Sequence, residues 1–415
     1  MDDGHKTAQM HLASSTIPVA LSLAETQNTP TTIFLKSIVA GYNIGIILAQ
    51  LINPRHRNIG FHTTGTIGTF AAAATASIIL NLNQKETINA LGIAGTQSSG
   101  LLESDHQGTM AKHLHPGASA QKGLLSAILA TEGFTGAETI FDGEQGFLSA
   151  MLLNKKITPP IIENIEKYLE KNIGKYHIKD TYLKKYPACR HIHSSLDATQ
   201  HILNEIKTLN IQEKLNSENI ESITIKTYKI AAEHNNYQIK NTPSLKQSLP
   251  YNIALLIHTG KLTLNTIKQF QENPDNEEIK KLTQLIKIET LKSLDELYPE
   301  YRPSIVEIVF KENTIPQDKI TNRFQPIVFK DTIESGKDKK IFEFRNNKLY
   351  LTKRLDLPYG ERESPFSKNE IIEKFNSLNP NMSRAKISII TNTIDNLEQY
   401  TIPYLMDIIN KEDII

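Results

Sequence analysis

Charge is distributed very unevenly along this chain, and this asymmetry constrains its fold more than any other feature. Residues 1–150 contain 7 Lys or Arg and 10 Asp or Glu, whereas the remaining 265 residues contain 39 and 35. The same first part holds 16 of the 20 glycines. Because small residues let helices approach closely and few charges are available to face water, residues 10–150 are predicted to form a tightly packed helical domain.

Local signals predict how this domain continues into a second one. Asn83 with Glu86 three residues later is typical of a capping box, and Gly133 ends a preceding apolar helix. Beyond Pro187 short strand-like runs alternate with amphipathic helical segments, so the predicted fold class is α+β. The predicted strands are 222–228, 304–310 and 348–353, and the predicted helices are 196–209, 251–262, 368–378 and 383–397.

Composition excludes several functional classes. A net charge of +1 gives no basic excess for nucleic acid. Cys189 is the only cysteine, so an intramolecular disulfide, an all-cysteine zinc site and an Fe–S cluster held by several thiolates are excluded. The N-terminal residues have no pattern typical of a signal or transit peptide. The longest apolar tract, residues 70–82, suits a core helix better than a membrane span. A soluble cytoplasmic protein without nucleic-acid or membrane partners is predicted.

Histidines are concentrated in two sections of the chain. Seven of the 13 precede residue 116, and four more lie between His177 and His201. They occur in segments that mix small residues with His, Lys or Arg. These segments are Asp2–His5 with His11, residues 60–69, residues 108–117 and residues 184–198.

Such segments could bind and transform a small polycarboxylic acid. Carboxylates need cations, and Lys112, Lys184 and Arg190 could supply them. Elimination needs a base at carbon and an acid at the departing oxygen, and histidine can serve in either role near neutral pH. A glycine-rich turn at 65–69 before a helix could offer backbone N–H groups to a further carboxylate.

Other interpretations of the same residues stay open at this point. His113 with His115, and His191 with His193, would share a face of an extended backbone and could bind zinc, although their cationic neighbours disfavour a metal. A zinc hydrolase is therefore the weaker competitor. Cys189 could be a nucleophile or a small packing residue, and the second interpretation is preferred.

Two histidines are removed from the candidate site residues, and several enzyme classes lack motif support. His56 and His106 lie in polar segments and are interpreted as packing residues. The sequence contains no G-x-S-x-G elbow, P-loop or G-x-G-x-x-G fingerprint, so serine hydrolases, NTPases and Rossmann enzymes have no motif support.

Four ordered segments together form a recognisable pattern: GFHTTGTIGTFAAAATAS, NALGIAGTQSSGLLE, GTMAKHLHPGASAQKGLLSAILATEGFTGAETIFDGEQGFL and YPACRHIHSSLDA. The pattern resembles the MmgE/PrpD family, which includes 2-methylcitrate dehydratase, cis-aconitate decarboxylase and an imino-diacid epimerase. Weaker similarity continues through 244–263 and 356–367. The resemblance therefore extends over nearly the whole chain.

The resemblance implies a large all-helical domain and a smaller α+β lid domain, usually in a homodimer with the site between the domains. The implied boundaries are 1–183, 184–355 and 356–415. Together with the reasoning from the residues, the resemblance gives nine candidate site residues. The catalytic candidates are Asp3, His11, His62, His115 and Tyr251, and the substrate-binding candidates are Lys112, Lys184, Arg190 and His193.

The function implied is a metal-independent hydro-lyase of the 2-methylcitrate dehydratase type, without a cofactor. His62 or His115 would be the base, and Asp3, His11 or Tyr251 would help to protonate the departing hydroxyl. Decarboxylation or epimerisation of a related acid is the alternative, although Cys189 stands where the decarboxylase branch has a histidine. The family ordinarily has further helix before its Asp-Asp segment, so an inactive remnant or a binding protein is a second alternative.

Overall fold

A computed structural model describes residues 3–107, 109–152, 159–316 and 340–411 of the 415-residue chain. Two residues of the quoted motifs, Asp2 and Gly108, lie outside the described residues. The chain divides into two compact units. The first comprises Met1–Leu183 with Pro365–Ile415, and the second comprises Lys184–Ser364.

The first unit is mostly helical, and its longer helices pack around α4. Its helices are α1 (Ala13–Gln27), α2 (Thr31–Ile52), α3 (Arg55–Asn58), α4 (Thr63–Ile79), α5 (Gln84–Gln97), α6 (Glu103–His106), α7 (Leu114–Thr131), α8 (Phe147–Met151) and α9 (Pro159–Asn172). Two 3-10 turns, Met110–His113 and His177–Asp180, accompany them. Every residue of α4 from Thr63 to Ser77 is buried, as the scarcity of charge predicts.

Two features join the ends of the first unit. Strand β1 (Asp3–His5) pairs antiparallel with β2 (Thr181–Leu183), and Asp3 lies opposite Leu183. The chain later returns through three helices: α17 (Lys368–Leu378), α18 (Arg384–Asp395) and α19 (Ile402–Asn410). Ile402 of α19 shares a hydrophobic cluster with Val19 of α1. The first and last parts of this unit therefore stabilise each other through apolar burial.

Helix α2 corrects one expectation from the sequence. Among the described residues it is the one helix long and apolar enough to cross a membrane, by length and composition alone. The tract at 70–82, which the sequence indicated as the longest apolar tract, belongs mainly to the shorter α4. Phe34, Tyr42 and Ile46 of α2 are buried within the first unit. The apolar composition of α2 is therefore also that of a helix packed in a protein core.

The second unit combines short helices with a mixed sheet. Its helices are α10 (His193–Thr208), α11 (Lys229–Ala232), α12 (Thr242–Gln247), α13 (Leu249–Thr259), α14 (Leu264–Glu272), α15 (Glu277–Gln284) and α16 (Lys292–Asp295). Its strands are β3 (Ile220–Thr227), β4 (Ile286–Thr290), β5 (Ser304–Phe310), β6 (Lys340–Arg345) and β7 (Lys348–Leu355). Two further 3-10 turns are Arg190–Ile192 and Gln212–Lys214, and a third, Leu397–Gln399, lies in the first unit.

The sheet of the second unit has the strand order β4-β3-β5-β7-β6. Strands β3 and β4 are parallel, and the other neighbours are antiparallel. Ile223 and Ile225 of β3 share one buried cluster with Leu196 of α10 and Ile253 of α13. A mixed sheet with helices in one unit and a mostly helical other unit confirm the predicted fold class.

The second unit ends later than the expected boundary after residue 355. The Tyr359 backbone N–H donates to Oδ2 of Asp197 at 2.8 Å, and Arg190 Nη1 donates to the Tyr359 carbonyl at 3.0 Å. These bonds fix the loop after β7 to the start of α10. For this reason the boundary lies at residue 364.

Candidate functional site

Two predicted residues of the first unit, His62 and His115, are in direct contact. His62 is the residue immediately before α4, and His115 lies in the first turn of α7. Their Nδ1 atoms are 2.8 Å apart, and the ring centroids are 5.0 Å apart. Because a neutral imidazole carries one N–H, one ring donates through Nδ1 and the other accepts. The contact therefore couples the proton positions of the two rings.

Glycine permits the close approach of the segments around this pair. The His62 backbone N–H donates to the Gly100 carbonyl at 3.0 Å, and Gly100 has a φ of +143°, which side-chain-bearing residues rarely adopt. A Cβ atom added at Gly65 would lie 2.5 Å from the Ser99 carbonyl oxygen and 3.2 Å from Cβ of His115. The site therefore depends on the absence of side chains at these two positions.

Burial and positive charge keep both imidazoles neutral. Burial lowers the pKa of His62 well below its usual range, and the charges of Lys112, His115 and Arg57 lower it further. The pKa of His115 is also lowered, first by burial and then by Lys112 and Lys122, while Asp105 opposes the shift. A neutral imidazole has a lone pair, so this pair can act as a base near neutral pH.

Three cations surround the pair, and two of them were missed from the sequence. Lys112, which was predicted, forms an ion pair with Asp105 at 2.6 Å. Lys122 donates to the Ser99 hydroxyl at 2.7 Å, and Arg57 lies close enough for its charge to act on His62. Lys122 follows His115 by seven residues, or two helical turns, so the helical spacing could have revealed it.

Asp3 and His11 lie together in the same unit. Asp3 Oδ2 accepts from the Tyr42 hydroxyl at 2.8 Å and from the Ala13 backbone N–H at 3.0 Å. His11 Nδ1 contacts the Asp3 carbonyl oxygen, and the His11 backbone N–H donates to Thr64 Oγ1 at 3.1 Å. Thr64 is in the first turn of α4, so these contacts place His11 beside the helix end that follows His62.

Tyr42 is a further residue that sequence reasoning missed. Its ring is buried, and burial followed by the negative charge of Asp3 raises the pKa of its phenol. The phenol therefore stays neutral and serves as a hydrogen-bond donor to the carboxylate. Its position within the apolar run of α2 gave no sign of this role.

In the second unit, Arg190 and His193 lie within hydrogen-bond distance of each other at the start of α10. Arg190 Nη1 donates to His193 Nδ1 at 3.2 Å, and His193 Nε2 lies 3.4 Å from the Ala188 carbonyl. These contacts assign the N–H of His193 to Nε2. His193 is fully buried, and burial, the charge of Arg190 and the charge of Lys184 lower its pKa.

Arg190 also binds the loop that closes the second unit. Its Nη2 donates to Glu361 Oε1 at 2.9 Å, and Nη1 of Arg302 lies 3.5 Å from the same oxygen. All three side chains are buried, with 2% to 4% exposed. Glu361 was missed from the sequence, although the segment 356–367 that contains it was part of the resemblance. The fork of Arg190 therefore holds an internal carboxylate.

The remaining predicted residues of the second unit occupy different elements. Lys184 is near enough to His193 for its charge to lower the pKa of that ring. Tyr251 lies on α13, where its ring packs 5.8 Å from that of Phe270. The structure thus brings Lys184, Arg190 and His193 together and places Tyr251 on a separate helix.

Two local expectations from the sequence are wrong. The glycine-rich segment 65–69 is not a turn before a helix, because α4 already begins at Thr63. The His113 and His115 backbones are helical rather than extended, and the same holds for His191 and His193, so neither pair shares a face in the expected way. Among the described residues, no group of three or more His, Cys, Asp or Glu is placed to hold a metal ion.

Comparison with known protein families places these sites in context. A model of the MmgE/PrpD N-terminal domain matches residues 1–160, which include His62 and His115. A model of the MmgE/PrpD C-terminal domain matches residues 186–323, which include Arg190 and His193. The chain belongs to the MmgE/PrpD family. Members of the MmgE/PrpD family include lyases, both dehydratases and decarboxylases.

Curated relatives within the MmgE/PrpD family are similar over part of their length. The chain is 32% identical over 171 residues to the cis-aconitate decarboxylase-like protein oryM of Aspergillus oryzae, covering 38% of this chain and 35% of that protein. It is 24% identical over 291 residues to a cis-aconitate decarboxylase of Aspergillus terreus, covering 67% of this chain and 58% of that enzyme. The matches therefore span less than two thirds of these relatives.

Proposed function

We propose that the protein is a hydro-lyase that removes water from a small polycarboxylic acid, in the manner of a 2-methylcitrate dehydratase. The observation that carries the proposal is the neutral His62 and His115 pair, with Lys112, Lys122 and Arg57 around it. A base beside several cations suits the removal of a proton next to a carboxylate. The negative charge that develops is stabilised by the same cations.

Within this site we assign the base to His115. His115 is half-exposed, whereas His62 is buried, so a substrate reaches the His115 ring more readily. The C–H bond next to a carboxylate breaks, and its proton goes to the imidazole. The electron pair forms a carbon–carbon double bond, and the neighbouring C–O bond breaks. His62 then acts as a positioning residue, because its Nδ1 fixes the tautomer of His115.

The departing hydroxyl needs a proton to leave as water, and we assign this donor to His11. Its Nδ1–H donates to the Asp3 carbonyl, which orients the ring, and its backbone is tied to Thr64 at the start of α4. The proton for the departing hydroxyl then comes from Nε2 of the doubly protonated ring. Asp3, in turn, is held by Tyr42. The proposal therefore gives Asp3 a positioning role, and an acid role for Tyr251 stays a prediction.

A substrate-binding role for Lys184, in the second unit, stays a prediction. Arg190 is proposed as a positioning residue, because its guanidinium binds Glu361 and His193 inside the unit. The small polycarboxylate partner, the homodimer and the cytoplasmic location also stay predictions.

The reaction is proposed to need no metal ion. Lys112, Lys122 and Arg57 all place positive charge near the histidine pair, and their charges already disfavour protonation of the rings. The same repulsion disfavours a bound metal cation. Carboxylate binding and charge stabilisation then rest on the lysines and arginine themselves.

Decarboxylation of a related acid is the second candidate, and the names of the relatives favour it. The Aspergillus terreus enzyme is named a cis-aconitate decarboxylase, and the Aspergillus oryzae protein is named cis-aconitate decarboxylase-like. In that case the cations would stabilise the carbanion left when carbon dioxide departs, and a histidine would protonate it. The epimerase alternative uses proton removal and return at the same carbon.

Product analysis distinguishes these reactions. Purified protein is incubated with 2-methylcitrate, citrate and cis-aconitate, with and without EDTA, and products are identified by mass. Alkene formation that EDTA leaves unchanged is expected. Release of carbon dioxide would replace the hydro-lyase with the decarboxylase. No turnover of any substrate by folded protein would contradict the proposal and favour the non-catalytic interpretation.

A further inference from the structure

The single cysteine lies in a cluster of ionisable side chains that the proposed lyase chemistry does not use. Cys189 is half-exposed, and its Sγ lies 3.4 Å from Nε2 of His234. Its backbone N–H donates to the Lys246 carbonyl at 3.0 Å, which fixes the position of the thiol. The sequence favoured a small packing residue here, and the histidine partner, 45 residues away, was not foreseeable.

Aromatic and imidazole rings hold the histidine partner in place. The rings of His191 and His234 are stacked, with centroids 6.0 Å apart. Nδ1 of His191 lies 2.7 Å from the Tyr228 hydroxyl, and the Tyr228 ring stacks on that of Tyr298 at 5.1 Å. Tyr228 is buried, so it anchors the half-exposed histidines to the core of the second unit.

We propose that Cys189 and His234 form a reactive thiol–imidazole pair and a modification site for soft carbon electrophiles. His234 Nε2 takes the thiol proton, and the thiolate sulfur forms a bond to the electrophilic carbon. With a haloacetamide the carbon–halogen bond breaks and halide leaves, while the proton stays on the imidazole. The proposal concerns the second unit alone and stands whether or not the protein is a hydro-lyase.

A proton acceptor, His234, and a cation, Arg190, lie close to the thiol. Thiolate is the nucleophilic state of cysteine, and neighbouring His⁺ or Arg stabilises it. Arg190 is the next residue in the chain, and its charge acts on Tyr228 together with that of Cys189. The titratable or charged groups around the pair are His191, His234, Tyr228, Tyr298, Arg190 and Arg302.

The test is the rate of alkylation by iodoacetamide as a function of pH, measured by intact mass on the full chain. Because Cys189 is the only cysteine, the stoichiometry reports one site. In folded protein we expect a rate inflection at least about one pH unit below the ordinary thiol value of about 8.5. The same protein in urea should show the ordinary value.

Variants distinguish the effect of His234 on the alkylation rate from the effect of the exposure of the thiol. His234→Gln is expected to slow alkylation at pH 7 about threefold or more. A rise of one unit in the thiol pKa lowers the thiolate fraction at pH 7 about eightfold, and the more basic thiolate is about threefold more nucleophilic. His258→Gln, which changes an exposed histidine of the same unit, should leave the rate unchanged, and Cys189→Ser should take up no label at this site. An inflection in folded protein equal to that in urea, or equal rates for His234→Gln and wild type, would overturn the proposal.

Discussion

The Nδ1 atoms of His62 and His115 lie 2.8 Å apart, although 53 positions separate the two residues in the chain. The contact forms because the start of α4 and the first turn of α7 meet at the same place. One ring must donate and the other accept, so a change at either residue alters the proton position of both. The pair is therefore one functional unit rather than two independent candidates.

Removal of the Lys112 charge should shift the pH dependence of turnover. Lys112 lowers the pKa of both histidines, so Lys112→Met is expected to raise the acidic apparent pKa of kcat/KM by up to about one unit. Asp105, which loses its ion pair with Lys112, raises the pKa of His115 and acts in the same direction. Lys85→Met, at an exposed position of α5, is the matched control. If the acidic limb of the kcat/KM profile were the same in Lys112→Met and wild type, the lysine charge would have no effect on the pKa values of the histidine pair.

A side chain at Gly65 should disrupt the site. Its Cβ would lie 2.5 Å from the Ser99 carbonyl, so Gly65→Ala must displace backbone next to His115 and is expected to destabilise the protein by about 1–3 kcal/mol. Gly117→Ala is the control, because an added Cβ there meets nothing within 4 Å. The two variants are compared by urea unfolding. Equal unfolding midpoints would contradict the close approach of these segments.

Acid should destabilise the first unit through His56. This ring is fully buried, its Nε2 lies 2.9 Å from Thr66 Oγ1, and burial lowers its pKa to about 4. Above pH 6.5 the ring is neutral in both folded and unfolded chains. Between about pH 6.5 and 4 only the unfolded chain binds the proton. The free energy of unfolding therefore decreases as the pH is lowered, by about 3 kcal/mol across this window.

The measurement for His56 is the free energy of unfolding at pH 7 and pH 4.5. His56→Gln should lose stability at pH 7 but show a smaller further loss at pH 4.5 than wild type. His258→Gln, at an exposed position, should keep the full pH dependence. If wild type and His56→Gln lost the same free energy between the two pH values, the buried imidazole would not be the source.

Removal of the Glu361 charge should destabilise the second unit. Glu361 is buried between Arg190 at 2.9 Å and Arg302 at 3.5 Å, so Glu361→Gln leaves buried positive charge uncompensated. We expect a loss of about 3–5 kcal/mol, measured by chemical unfolding. Glu289→Gln removes a surface pair with Lys287 and should cost about 1 kcal/mol or less. Equal losses for the two variants would mean that the buried network contributes no more than a surface pair.

Much of the fold could be predicted from the sequence because it depends on local pattern. The capping box at Asn83 and Glu86 is present, and the predicted strand 304–310 coincides with β5. The spacing of apolar residues, however, did not predict where α4 begins, because the glycine and threonine residues at its start are typical of a loop. Burial of the whole segment overrides that local preference.

The candidate site was predictable in its residue types but not in its contacts. The histidines and lysines were visible in motifs, whereas the partner of each depends on which helices meet. Arg190 shows the difference: its sequence context indicated a carboxylate clamp, and the structure shows an internal carboxylate, Glu361, 171 positions away. Tyr42 was missed because it lies in an apolar helix that indicated only packing. Lys122 was missed although its spacing of seven residues from His115 places both residues on one face of a helix.

The most direct test of the account is turnover by His115→Gln, compared with His113→Gln. His113 is an exposed neighbour whose Nδ1 lies 3.3 Å from the Met110 carbonyl, so its loss leaves the His62 and His115 pair intact. With the substrate that wild type converts fastest among 2-methylcitrate, citrate and cis-aconitate, kcat should fall at least about a hundredfold in His115→Gln and stay near wild type in His113→Gln. Equal kcat in His115→Gln and wild type would contradict the assignment of the base and of the site.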